Sequence, residues 1–307
     1  MEDDLITRPA LAVSMLLLPL ASQGELHVVI VEGLPGEQVY AQQFEQQADA
    51  ISSATKSITD PGNVHLMRSE DVSRDAVLER LESMSSGMQA DDRFALFLIG
   101  HGSYDDYEYK FNIPGPDLTG EDIAAALDDL PATTQLFVNT SSSSGAIGHR
   151  VVNDDRIVVL ATRNGAERHA TRFGSHFAGA LSNPSADIDK NGAITVDEAF
   201  YYAERQVADY FEQNNQLATE HPQLTGDRAE RLALARLGGP RLVVVDTELA
   251  GLIADRDEVN AEIETLRLAR QDMPASDYQS ALLDKMLRLA RIEDDIDARQ
   301  EQLGADE

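Results

Sequence analysis

The chain has 307 residues, with 54 acidic against 25 basic side chains and a formal net charge of −29. That sign repels phosphate backbones and anionic bilayers and so argues against a nucleic-acid partner; it fits a soluble surface, a cation-binding role or a saline habitat. Cysteine is absent, which excludes disulfides, thiolate metal sites and a thiol nucleophile.

Residues 10–21, ALAVSMLLLPLA, have the length of a signal-peptide apolar core and are too short to span a bilayer. The preceding MEDDLITRP is acidic where a signal peptide is basic. Residues 1–24 therefore read as a hydrophobic N-terminal segment packed on the body or as a signal peptide. The expected location is periplasmic or secreted, with the cytoplasm as the alternative. No other segment is long and apolar enough for a membrane helix, so an integral membrane protein is not expected.

From Glu25 strand and helix patterns alternate. Leu26–Gly33 is a continuous apolar run, as in a strand buried on both faces. Glu37–Ile51 has helical spacing through Val39, Phe44, Ala48 and Ile51. Asn63–Ser69 reads as a second strand, and Ser73 caps the helix RDAVLERLESM. Arg93–Gly100 is the strongest strand. Thr119–Leu130 is a helix whose TGED start has capping-box spacing. QLFVN and Arg156–Thr162 are strands four and five; Thr171–Leu181 and Thr195–Asn214 are helices. This order predicts an α/β domain over 25–240, its mostly parallel sheet covered by helices on both faces.

After Gly238-Gly239-Pro240 the character changes. Arg241–Val245 is a short strand or linker. Apolar residues then recur at Leu249, Leu252, Val259, Ile263 and Leu266, and again at Tyr278, Leu282, Met286, Leu289, Ile292 and Ile296. Pro274 breaks the run and Ser276 is placed to cap a second helix. Residues 241–307 are expected to form a coiled-coil-like helical hairpin, with 247–303 available for an oligomer contact.

The third strand ends in LIGHGSYDD, with His101 between two glycines; the fourth ends in FVNTSSSSG. If these strands are neighbours, their carboxyl ends share one crevice, and His101 faces Ser141 and Ser142 as base faces nucleophile. The plainer readings are a loop histidine bonded to a carbonyl and a small-residue turn.

FLIGHGS, then FVNTSSSSG, then VVLATRNGAERHATRFGSHFAGAL resemble the legumain-like branch of the caspase-fold (clan CD) cysteine peptidases. HPQLTGD, His221–Asp227, resembles the Pro-Gln-x-x-Gly ending of many such domains. The resemblance covers about 25–227 and implies a caspase-like sheet with His101 as general base. The nucleophile position falls on Ser142 when Gly145 is aligned with the family glycine, and on Ser141 when Asn139-Thr140 replaces Glu-Ala. Serine stands where the family has cysteine, and a hydroxyl needs a well-placed base and a third group to orient it. Asp105 and Asp106 are near in sequence. The serine row is also similar to segments of bacterial members of this fold. The resemblance further implies that Arg163 and Arg168, after strand five, line the substrate pocket; solvated or acid-paired arginines, Arg172 among them, are the plainer reading.

DIDKNGAITVDE, Asp187–Glu198, satisfies the twelve-residue calcium-loop pattern. Its ligands would be Asp187, Asp189, Asn191, the Ala193 carbonyl, Thr195 and Glu198, with Gly192 at the sharp turn and Ile194 pointing inward. DKNG is equally a turn and TVDE equally a capping box. Gly33–Gln38 lacks the lysine and full glycine pattern of a phosphate loop. No cofactor is required, and the loop suggests Ca²⁺ or another divalent ion.

Three functions fit. The first is a pseudoprotease that binds peptide or partner protein in the ancestral cleft. The second is an active endopeptidase, with a serine nucleophile or with its cysteine replaced by serine. The third is an assembly scaffold acting through the helical hairpin.

Overall fold

The structure is a computed structural model that describes residues 24–68, 71–237, 251–252, 255–256, 259–260, 262–263, 266 and 273–305. The N-terminal apolar segment and the strand expected at 241–245 lie outside the described residues. In chain order the first half contains β1 (Leu26–Glu32), α1 (Gln38–Thr55), β2 (Val64–Met67), α2 (Arg74–Ser85), β3 (Arg93–Ile99), β4 (Gly102–Tyr104), β5 (Tyr109–Phe111), β6 (Leu118–Thr119) and α3 (Gly120–Asp128). There follow β7 (Thr134–Asn139), α4 (Gly148–Val151), β8 (Arg156–Leu160), α5 (Phe173–Ala180), β9 (Ala193–Thr195), α6 (Val196–Gln213), β10 (Gln223–Thr225) and β11 (Ala233–Arg236).

Six strands make the main sheet in the order β10-β8-β7-β3-β1-β2. All pairs are parallel except β10 with β8. The strands are apolar on both faces because both faces are covered. Val28, Ile30, Phe97, Ile99, Leu136 and Val138 pack in one core with α1, α5 and α6. Val29, Val31, Leu96, Leu98 and Phe137 pack in the other with α2, α3 and α4. The helix starts follow the sequence: the Ser73 hydroxyl accepts the Ala76 N–H, and Thr119 and Asp122 close a capping box.

Several elements escape sequence patterning. β4, β5 and β6 form a small antiparallel sheet over 102–119, and β9 pairs antiparallel with β11. Strands of two to four residues are too short to show a period. β10, inside the HPQLTGD segment, is the antiparallel edge strand.

In the C-terminal stretch Val259 and Ile263 share an apolar cluster with Leu289, Ile292 and Ile296 of a helix spanning Ala275–Ala305. Lys285 Nζ lies 2.7 Å from Glu262 Oε2 across the same contact. Two details depart from the expected seam. The helix begins before Ser276, because the Pro274 carbonyl accepts the N–H groups of Asp277 and Tyr278. Met286 is exposed, as are Leu283 and Leu287. Among the described residues no helix is long and apolar enough to cross a membrane.

Candidate functional site

β3 and β7 run side by side and in parallel, with Leu98 paired to Asn139. Their carboxyl ends therefore bring His101 and the serine row to one rim of the sheet, as the sequence predicts. Side-chain phase then separates His101 from Ser141, whereas Ser142, which the register sets level with His101, turns its hydroxyl to the Gly102 carbonyl. Along a strand, alternate residues face opposite sides, and a one-residue difference in phase exchanges the faces. His101 continues the phase of Phe97 and Ile99 and lies on the α1 side, its ring centroid 4.7 Å from that of Tyr40 and 5.1 Å from that of Phe44. Thr140 continues the phase of Leu136 and Val138 and lines the same small space as His101, with Gln47 and Thr171. That cavity measures about 10 Å³, close to the least volume that holds one water.

The His101 ring makes one hydrogen bond, from Nε2 to the Pro35 carbonyl at 3.2 Å. A carbonyl only accepts, so Nε2 carries the proton in this bond. Pro35, rather than Asp105 or Asp106, thus orients the imidazole. Asp105 accepts from Lys110 at 2.8 Å and from the Tyr107 and Glu108 N–H groups, and the Lys110 bond leads in lowering its pKa to about 2. Asp106 pairs with Arg168 at 3.3 Å. Neither Ser141 nor Ser142 is hydrogen-bonded to His101; each has other partners.

The four serines are all buried, and each hydroxyl is tied to a neighbouring segment. Ser141 Oγ donates to Asn139 Oδ1 at 2.8 Å and lies 2.7 Å from the Tyr109 hydroxyl, on the side of the sheet opposite His101. Burial pushes the Tyr109 phenol up to about 12, so it serves as a hydrogen-bonding group and not as a base near neutrality. Ser142 Oγ donates to the Gly102 carbonyl at 2.9 Å. Ser143, in a left-handed conformation, donates from Oγ to the Gly165 carbonyl and from N–H to the Glu167 carbonyl. Ser144 Oγ accepts the Thr162 N–H at 3.1 Å, and Thr162 Oγ1 accepts the Gly145 N–H at 2.9 Å. The row stitches the end of β7 to the loops after β3 and β8. A strand that empties into hydroxyls is here satisfying backbone groups that burial has cut off from water.

Gly102 is required by this packing. A Cβ there would lie 2.4 Å from Ser141 Oγ and 2.5 Å from the Ser142 carbonyl oxygen. The glycine beside the histidine makes room for the serine network.

Arg163 and Arg168 stand exposed on the loop after β8, both acid-paired: Arg163 with Glu167 at 3.6 Å and Arg168 with Asp106 at 3.3 Å. Arg172 turns to α6, its guanidinium 3.5 Å from the Tyr210 ring centroid. Two carboxylates that no sequence motif marks organise this rim. Glu167 accepts from His221 Nδ1 at 2.6 Å and from the Arg163 N–H. Glu220, its pKa raised by burial, accepts the Arg172 and Phe173 N–H groups that open α5. Tyr107, at the β4–β5 turn, is 89% exposed and adjoins Asp106 and hence Arg168.

The Asp187–Glu198 loop lies away from this rim, before α6. Carboxylate oxygens of Asp187, Asp189 and Glu198 come within 4.8 Å of one another. Gly192 turns with φ +76°, Ile194 is fully buried, and the seventh to ninth positions form β9. Burial and the neighbouring carboxylates raise Asp189 to about 6. The capping box is also real: Glu198 Oε2 accepts the Thr195 N–H and hydroxyl, while Oε1 accepts the Ile188 N–H.

No protein-family model and no curated protein matches the sequence. Among solved structures the chain is similar to caspase-1 from Spodoptera frugiperda, with a TM-score of 0.45 and 12% identity over 71% of this chain and 92% of that one. At that TM-score the likeness is no ground for assigning an activity. The fold is α/β: a mostly parallel sheet covered on both faces, with His101 after its third strand and the serine row after the adjacent fourth.

Proposed function

We propose that the chain is a pseudoprotease of the legumain-like kind, with a rim that binds a peptide or partner protein and no working nucleophile. One observation carries this reading: every hydroxyl of the serine row is bonded to structure, while His101 bonds to Pro35 and lies against Tyr40 and Phe44. A serine without a base in hydrogen-bond reach has no means of losing its proton near neutrality. Recognition in place of catalysis is supported by exposed Tyr107, Arg163 and Arg168 at this rim, since tyrosine and arginine are residue types that anchor interfaces. A serine-directed fluorophosphonate is the test: the reading expects no adduct at Ser141 or Ser142.

We also propose that the loop from Asp187 to Glu198 takes Ca²⁺. Convergence of Asp187, Asp189 and Glu198 on one turn supports this, together with the motif that adds Asn191, the Ala193 carbonyl and Thr195. Carboxylate oxygens that already accept an N–H keep a further lone pair for a hard cation. The ion would rigidify the turn and neutralise crowded charge. Calorimetric titration of Ca²⁺ is expected to give saturable heat in the natural chain and none in Glu198→Gln; equal heats in both would remove the site.

A further inference from the structure

At the opposite edge of the sheet, the amino-terminal ends of β1, β3 and β7, lies a cavity of about 290 Å³. Its walls include Gly24, Asp91, Arg93, Thr134, Arg228 and Arg231. In a chain with 54 acidic and 25 basic residues, three arginines line a cavity whose wall carries one carboxylate, that of Asp91. The concentration of positive charge runs against the composition.

Arg93 is the least compensated of the three. Its Nε and Nη2 donate to the Gly24 carbonyl at 3.3 and 3.2 Å, and no carboxylate of the described residues forms an ion pair with it. A guanidinium has five N–H donors, so three remain for another acceptor. Burial lowers its pKa, and the nearby charge of Asp92 offsets that only in part. Arg228 is braced by the Thr133 carbonyl at 2.7 Å and reaches Asp155 at 3.2 Å. Arg231 is 79% exposed and, among the described residues, forms its ion pair with its chain neighbour Glu230, at 3.3 Å. Exposed pairs of this kind hold their members weakly, which leaves both arginines able to turn to a ligand. The Thr134 hydroxyl accepts from Arg228 Nη1 at 3.3 Å and keeps its own proton to donate.

We propose that this cavity binds a small ligand bearing a phosphate or carboxylate group, held by Arg93 with Arg228 and Arg231 closing on it. The planar fork of arginine fits two oxygens of either group at once. The volume admits a small molecule rather than a polymer. The site sits at the far end of the strands from His101, so it concerns a ligand of its own, independent of the pseudoprotease reading.

The test is calorimetric titration of the full chain with inorganic phosphate and, separately, succinate, at low ionic strength. Saturable one-to-one binding is expected from at least one of them. The tighter of the two assigns the ligand class, phosphoryl or carboxylate. Arg93→Gln and Arg231→Gln are each expected to weaken it about tenfold or more, the loss of a charge-assisted hydrogen bond. Circular dichroism checks that the variants fold. If Arg93→Gln does not, the exposed Arg231→Gln decides alone. Absence of saturable heat from both anions, or binding unchanged in the folded variants, overturns the proposal.

Discussion

Gly145→Ala is expected to cost at least about 3 kcal/mol of folding stability, a large share of what a single domain possesses. A Cβ at 145 would sit 2.2 Å from the Arg163 carbonyl carbon and 2.2 Å from the Asn164 nitrogen. Those atoms are backbone, so no side-chain rotation relieves the overlap, and the loop after β8 must move. Movement breaks the bonds that hold it to the serine row: Gly145 N–H to Thr162, Thr162 N–H to Ser144, and Ser143 to Gly165 and Glu167. Gly179 in α5 is the internal control. A Cβ there meets nothing within 4 Å, and alanine is the better helix former by about 1 kcal/mol. Urea denaturation should therefore move Gly145→Ala to a much lower midpoint and leave Gly179→Ala unchanged or slightly higher. A Gly145→Ala midpoint equal to the natural chain's would show that the two loops are not locked together.

Tyr109→Phe is expected to cost about 1–3 kcal/mol, the penalty for leaving buried polar partners unpaired. The Tyr109 hydroxyl accepts from Asn139 Nδ2 at 2.9 Å and bonds Ser141 Oγ at 2.7 Å, while Ser141 Oγ donates to Asn139 Oδ1. Tyr109, Asn139 and Ser141 are at most 2% exposed, so water cannot take the place of a lost partner. Since the three side chains form one closed network, Tyr109→Phe and Ser141→Ala should not add. A double-mutant cycle by urea denaturation is expected to give a coupling of about 0.5–3 kcal/mol. Strict additivity would mean that Ser141 is not held by Tyr109, and its hydroxyl would again be available for chemistry.

Much of this architecture is legible in the sequence because long signals carry it. Runs such as Leu26–Glu32 and Arg93–Ile99 are apolar throughout, and only strands buried on both faces are so written. Ser73 and Thr119 announce their helices by local hydrogen bonding that needs no tertiary context. The alternation of elements predicts a parallel sheet, and the pairing of His101's strand with the serine row's strand, conditional in the sequence, is seen in the structure.

What stays hidden is phase and partner choice. That His101 turns toward α1 while Ser141 turns toward β5 follows from the Leu98–Asn139 register, which sets Ser141 one residue out of phase with His101. Tyr109 lies in a three-residue strand whose pattern is too short to read, so nothing in the sequence ties it to a serine 32 residues on. Pro35 acts through its carbonyl, a group every residue possesses. Glu167 and Glu220 serve backbone N–H groups that only the folded chain brings to them.

The most direct measurement is intact-protein mass spectrometry after incubation with excess fluorophosphonate, on the natural chain, Ser142→Ala and His101→Ala. A structural serine row predicts that all three remain unmodified at 141 and 142. A stoichiometric adduct at Ser141 or Ser142 in the natural chain, lost in His101→Ala, would contradict it and make this fold a working serine hydrolase.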